Sequence, residues 1–176
     1  MMTNRTKVSI KFERLAEIST LNPNRAILEK VIIRHEEDEY PDNEWMLTEI
    51  EDGKIVKSDR YTQKDIESEG LEKVQAWVDE DRKRYEEHGE TWQSLCVQAV
   101  GIVMVPMNTM PNKSFAQQEI TSFGLWGVES DTPEDYMFQI EQEQVADLFD
   151  NLEKMCVIIP EEIQVWKQLF LEEEKA

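Results

Sequence analysis

The sequence predicts an α+β fold, an antiparallel sheet of about five or six strands with two or three helices, mostly on one face. Three observations predict it. Trp92 to Pro106 is a long valine-rich run with apolar groups on both faces, and Gln117 to Glu129 returns as a partner of similar length. Asp52-Gly53 lies between two apolar-bearing segments, the strongest short-range hairpin signal, because both turn residues take positive φ. Two stretches carry apolar residues at helical spacing behind good start signals, Thr62 to Tyr85 and Thr132 to Met155.

Taken in order, Lys7 to Phe12 alternates polar and apolar, as a half-buried strand should. Arg14 to Ser19 either extends it or turns briefly helical, and Leu21-Asn22-Pro23-Asn24 breaks the chain. Ile27 to Ile33 ends in β-branched residues and reads as a strand. The next segment holds six carboxylates and no Lys or Arg: Glu36, Glu37, Asp38, Glu39, Asp42 and Glu44. Close like charges resist packing, so this run reads as a solvated loop, and functionally as a cation site, though without calcium-loop spacing, or a contact for a basic partner. Trp45 to Ile50 and Lys54 to Lys57 form the arms of the hairpin.

Thr62 and Asp65 stand at capping-box spacing and open a helix carrying Ile66, Leu71, Val74, Trp77, Val78 and Tyr85, which Gly70 weakens and His88-Gly89 stops. In the long pair, Pro106 ends the first strand and Met107 to Ser114 is a loop. Thr132 is then an N-cap, Pro133 the first helical residue and Asp135 the third. Met137, Ile140, Val145, Leu148, Phe149, Leu152 and Met155 lay a core-facing stripe. Pro160 starts a last helix with Ile163, Trp166, Leu169 and Phe170 on one side, which packs on the sheet or offers a docking surface. At 176 residues the chain reads as one domain, 1–176, with 160–174 as a possible peripheral helix.

Charge narrows the function classes. Nineteen Lys plus Arg stand against 38 Asp plus Glu, a formal charge of −19. Such a surface repels phosphate backbones and anionic membranes, so neither nucleic acid nor membrane is an expected partner. The longest apolar run, Val100 to Pro106, is far short of a membrane span, and no signal peptide is visible, so the reading is a cytoplasmic protein. Cys96 and Cys156 read as buried free thiols. His35 and His88 are the two histidines, and neither cysteine has the basic neighbour that makes a reactive thiolate. There is no Gly-rich phosphate loop, Walker lysine or Cys/His metal spacing, so no catalytic residue, metal or other cofactor is assigned. Glu129 and Asp131 lie two apart, and with neighbouring carboxylates they are the one place where a metal reading arises. The plainer reading has Ser130 and Asp131 capping the helix and Glu129 solvated or paired with a lysine. Trp126 between Gly124 and Gly127 reads as a core anchor or an exposed contact, with core the better fit.

The run Ser122-Phe123-Gly124-Leu125-Trp126-Gly127-Val128-Glu129-Ser130-Asp131, followed by acidic residues and Tyr136, resembles a group of small phage and prophage proteins. Their shared pattern is Ser-x-Gly-Leu-Trp-Gly-Ile/Val-Glu-Ser-Asp, and Phe123 departs from it by size. Trp92 to Val105 and the acidic run from Glu36 are similar to their upstream parts. The resemblance implies a mobile-element context and a host-facing role, and no activity. The expected function is therefore an acidic interaction protein that blocks a basic host protein such as a defence nuclease, in the manner of a DNA mimic. The expected partner-binding residues are Glu36, Glu37, Asp38, Glu39, Asp42, Glu44, Trp126, Glu129 and Asp131. A carboxylate-held metal enzyme and a protein self-associating through the Trp166 helix stay open as alternatives.

Overall fold

A computed structural model describes residues 3–37, 47–58, 60–88, 93–107 and 114–173. They gather into two compact units: Met1–Glu37 with Leu95–Val128 and Thr132–Ala176, and Asp38–Ser94 with Glu129–Asp131. The first unit carries strands β1 (Thr3–Ser9), β2 (Ile27–Glu37), β5 (Ser94–Met107), β6 (Ser114–Thr121) and β7 (Leu125–Glu129), with helices α1 (Phe12–Leu21), α4 (Glu134–Lys154) and α5 (Glu161–Glu172). The second carries the hairpin β3 (Glu49–Glu51) and β4 (Lys54–Lys57), followed by α2 (Gln63–Glu69) and α3 (Leu71–His88). The architecture is the α+β fold the sequence predicts, an antiparallel five-stranded sheet with helices, although among the described residues five helices replace the expected two or three.

β5 is the spine of the sheet. Its neighbours run β1-β2-β5-β6, and β7 pairs with β5 as well. β2 occupies one edge of β5 from Leu95 to Met104, so β7 follows β6 along the other edge. Leu95, Val97, Ala99 and Val103 enter a core shared with Leu15 and Ile18 of α1, five α4 residues from Ile140 to Leu152, and Ile163 and Phe170 of α5. Cys96, Val100 and Ile102, on the alternate face, are buried too. Each fully buried valine or isoleucine contributes about 1.5–3 kcal/mol. Gly101 is closely covered, since a Cβ there would lie 3.1 Å from Leu28 Cδ1 of β2 and 3.4 Å from Leu148 Cδ1 of α4.

Several expectations shift in the structure. Arg14 to Ser19 is helical, inside α1, which ends at Leu21 just before the expected break. β2 continues through Glu36 and Glu37 because β5 runs far enough to pair with both, through Cys96 and Leu95. The single helix expected after Thr62 is two, since Gly70 adopts φ 91° and ends α2, while the Thr62–Asp65 capping box forms as read. The hairpin turn holds, with Asp52 at φ 49° and Gly53 at φ 75°. Pro106 lies inside β5, opposite Phe115, rather than ending it. β2 stops opposite Met104, so Pro106 needs a partner on one side only.

The return strand is also two strands, β6 and β7, broken at 122–124. Gly124 takes φ 80°, and a Cβ there would sit 2.8 Å from Gln98 Cγ and 3.1 Å from Cys96 Sγ. α4 begins one residue later than expected, with Pro133 rather than Thr132 at the cap and no side-chain cap hydrogen bond. Met155 and Cys156 are exposed, against the expectation of burial. Gly124→Ala is expected to destabilise the protein by about 1–3 kcal/mol in urea unfolding, since strain and overlap act together there. An unchanged midpoint would show that the break does not need glycine.

Candidate functional site

The signature segment folds around one buried side chain. Gln144 of α4 is 5% exposed, and its Oε1 accepts hydrogen bonds from Ser122 Oγ at 2.8 Å and from the Gly124 N–H at 3.0 Å. Ser122 Oγ in turn accepts the Ala99 N–H of β5 at 3.0 Å, and the Ser122 N–H reaches Ala99 O at 2.9 Å. The break between β6 and β7 therefore satisfies its polar groups partly through β5 and partly through a helix. That arrangement leaves the neighbouring aromatic side chains outside. Phe123 is 80% exposed and Trp126 58% exposed, which corrects the core assignment of Trp126. Only Val128 of β7 turns into the core. Gly127 has φ 76° and nothing within 4 Å of where its Cβ would be, so the backbone beside Trp126 is open.

Glu129 and Asp131 belong to the second unit, where arginines hold both. Arg84 Nη2 lies 2.6 Å from Glu129, and Arg84 Nε donates to Asp131 at 2.6 Å while Nη2 also bonds it. Arg60 reaches Asp81 at 3.2 Å and Glu129 at 3.6 Å. Hydrogen bonds from the Asp131 pairing, together with the Glu129 contact, raise the Arg84 pKa above its ordinary value despite burial. Tyr61 donates to Asp81 at 2.8 Å and stacks on Trp77. Burial first, and that hydrogen bond second, push its hydroxyl up to about 12. Arg60, Tyr61, Trp77, Glu80, Asp81 and Arg84 line a shallow cleft whose cations are already committed to carboxylates. Among the described residues no three His, Cys, Asp or Glu side chains converge on a point where a metal could sit.

Of the acidic run, Glu36 lies 3.5 Å from Arg34, and Glu37 closes β2 at an exposed position. Asp38, Glu39, Asp42 and Glu44 lie outside the described residues. The carboxylates that stand out in the structure are on α4. Glu143, Asp147 and Asp150 occupy its exposed face at helical spacing, and no cation pairs with them among the described residues. Glu134 and Asp135 add two more in the first turn.

Sequence reasoning missed the polar side of α4. Glu141, 6% exposed, accepts from Lys7 Nζ of β1 at 2.7 Å and lies 3.1 Å from His35 Nε2 of β2. Gln142 donates to Phe170 O at 2.7 Å, tying α4 to α5. The signal was available: Glu141 stands four before Val145 and Gln144 four before Leu148, on the apolar stripe itself. Trp166 of α5 stacks on Phe170 with ring centroids 5.0 Å apart, packed against the first unit's core. No helix among the described residues is long and apolar enough to cross a membrane. No family model, curated protein or solved structure matches the chain.

Burial alone would raise the Glu141 carboxyl, but hydrogen bonds and charge from His35 and Lys7 outweigh it and hold the group below its usual range. A depressed carboxylate stabilises the fold above its unfolded pKa of about 4.3, and that contribution is lost as pH falls through the lower folded value. Glu141→Gln is expected to cost about 2 kcal/mol at pH 7 and to flatten the acid limb of the stability profile below about pH 4.3. Equal slopes for the two proteins in that limb would remove Glu141 from the acid response.

Proposed function

We propose that the protein is a non-enzymatic acidic interaction protein that binds and blocks a basic protein surface of a host. The observation that carries the reading is the row of carboxylates on the exposed face of α4, unpaired among the described residues, within a chain of formal charge −19. Many of the cations are meanwhile spent on internal pairs, among them Lys7 with Glu141, Arg34 with Glu119, and Arg84 with Glu129. Pairing cancels charge one for one, so an excess of 19 carboxylates over Lys and Arg remains. Exposed Trp126 supplies the kind of aromatic anchor that hot spots favour. The likeness of Ser122 to Asp131 to phage and prophage proteins supplies the host-facing context.

Spacing decides how far DNA mimicry is taken. Glu143, Asp147 and Asp150 are about 6 and 4.5 Å apart along the helix axis. Each strand of a duplex presents a phosphate about every 3.4 Å of its axis. One helix face is sparser than that, so mimicry requires other acidic surfaces in concert, and charge-driven binding of a basic protein is the broader statement that fits.

Capture from host lysate by the wild-type protein is expected to retain a basic protein that elutes as salt rises. The triple variant Glu143→Lys, Asp147→Lys, Asp150→Lys is expected to weaken that capture by about tenfold or more, given coupling energies above about 1.4 kcal/mol for charge pairs at such interfaces. Capture that is indifferent both to salt and to these reversals would overturn the reading.

A further inference from the structure

We infer that the outer edge of β6 is a docking site for an extended, Lys/Arg-rich segment of the basic partner, which adds to the sheet as another strand. The inference rests on the acidic-surface reading above and adds the mode of recognition. Among the described residues β6 pairs with β5 only, through eight consecutive positions from Met107↔Ser114 to Val100↔Thr121 without a register shift. Unpaired edges invite foreign strands, and proteins commonly blunt them with bulges, prolines or inward and edge lysines. The opposite edge, β1, is blunted in this way, with a register shift between Thr6 and Val8 and the cations Arg5 and Lys7. β6, Ser-Phe-Ala-Gln-Gln-Glu-Ile-Thr, has no bulge, proline, lysine or arginine.

The phase of the ladder fixes which backbone groups are open. The Ser122 N–H points at Ala99 O, so by the alternation of an antiparallel strand the N–H groups of Ile120, Gln118 and Ala116 also face β5. Those of Phe115, Gln117, Glu119 and Thr121 face outward. Pro106 agrees with this phase, for it stands opposite Phe115, where β6 makes no ladder bond to β5. Both faces of β6 are settled meanwhile: Phe115 meets Phe12 edge-on, Glu119 bonds Arg34, and Ile120 packs on the core. Asn151 of α4 donates to the Thr121 carbonyl at 3.4 Å and closes that end, so the stretch left over is Phe115 to Glu119, about 16 Å long at 3.3 Å per residue. It leads along the same side of β5 toward exposed Phe123 and Trp126.

Charge chooses the occupant. A second copy of this chain would bring another −19 to the junction, whereas a cationic segment is attracted. In strand addition the main chain supplies affinity and the alternate side chains specificity, so a segment with lysines at alternate positions suits both features.

The test uses the whole protein and an alternating Lys-Val octapeptide as probe. The expected result is salt-sensitive binding, with amide exchange slowed about tenfold or more at Phe115, Gln117 and Glu119, as new hydrogen bonds protect them. N-methylation of one alternate set of peptide amides is expected to abolish binding, and of the other set to leave it. Gln117→Pro removes an outward donor without touching the β5 ladder, and is expected to keep the fold by circular dichroism while weakening binding about tenfold. Should that variant unfold, the methylated peptides on the wild-type protein carry the test alone. Binding without protection, and indifferent to methylation, would overturn the edge inference and leave the acidic-surface reading standing. Absence of peptide binding would overturn it too, with the lysate capture and its α4 reversals judging the acidic surface independently. A wild-type dimer that Gln117→Pro dissolves would overturn it in favour of self-pairing.

Discussion

The Gln144 carbonyl holds the first unit's most consequential joint. It accepts from Ser122 and Gly124 at the point where one strand partner of β5 ends and the next begins. A buried break in a sheet leaves backbone donors unmatched, each costing about 1–3 kcal/mol if left so. A single glutamine from α4 meets one such donor, the Gly124 N–H, together with the Ser122 hydroxyl, and fixes the helix against the sheet at the same time. Gly124 is its necessary counterpart, since positive φ and contact with Gln98 and Cys96 exclude a larger residue. With that joint made, Phe123 and Trp126 face outward, and Val128 returns to the core.

Helix α4 serves two purposes that its sequence interleaves. Ile140, Val145, Leu148, Phe149 and Leu152 fill the core, and between them Glu141, Gln142 and Gln144 make polar bonds to β1 and β2, to α5, and to the β6–β7 break. The opposite face is left to Glu143, Asp147 and Asp150. Polar groups on the inner face orient the helix, because misrotation would leave a buried carboxylate unpaired. The carboxylates outside are therefore presented at a set angle to the sheet. Charge and orientation come from one element.

Net charge by itself favours solubility and attraction to cations without saying where contact occurs. The structure divides the carboxylates into those consumed and those offered. Glu129 and Asp131, which the sequence singles out, are consumed by Arg84 and Arg60 within the second unit. The α4 face, unremarkable as a motif, is offered. An open, unbulged β6 edge adds a second kind of contact that charge counting does not reveal.

Local patterns were enough for the α+β class, for the Asp52-Gly53 hairpin, for the Thr62–Asp65 capping box, and for the apolar stripe of α4. Each depends on neighbours within a few residues, where turn geometry and helical periodicity operate. The sequence also determined the charge and ruled out a metal motif of recognisable spacing. Tertiary structure decided the matters that depend on distant partners. Trp126 is exposed, beside a Gly124 N–H that is bonded to Gln144, 20 residues further along the chain. The end of β2 turned on how far β5 extends beside it, and Pro106 was tolerated because β2 had already stopped. The fate of Glu129, Asp131 and Glu141 turned on Arg84, Arg60, Lys7 and His35, which stand 45 or more residues away in the chain. A carboxylate is equally soluble, paired or buried as a letter, and only the cation brought against it by folding makes the difference.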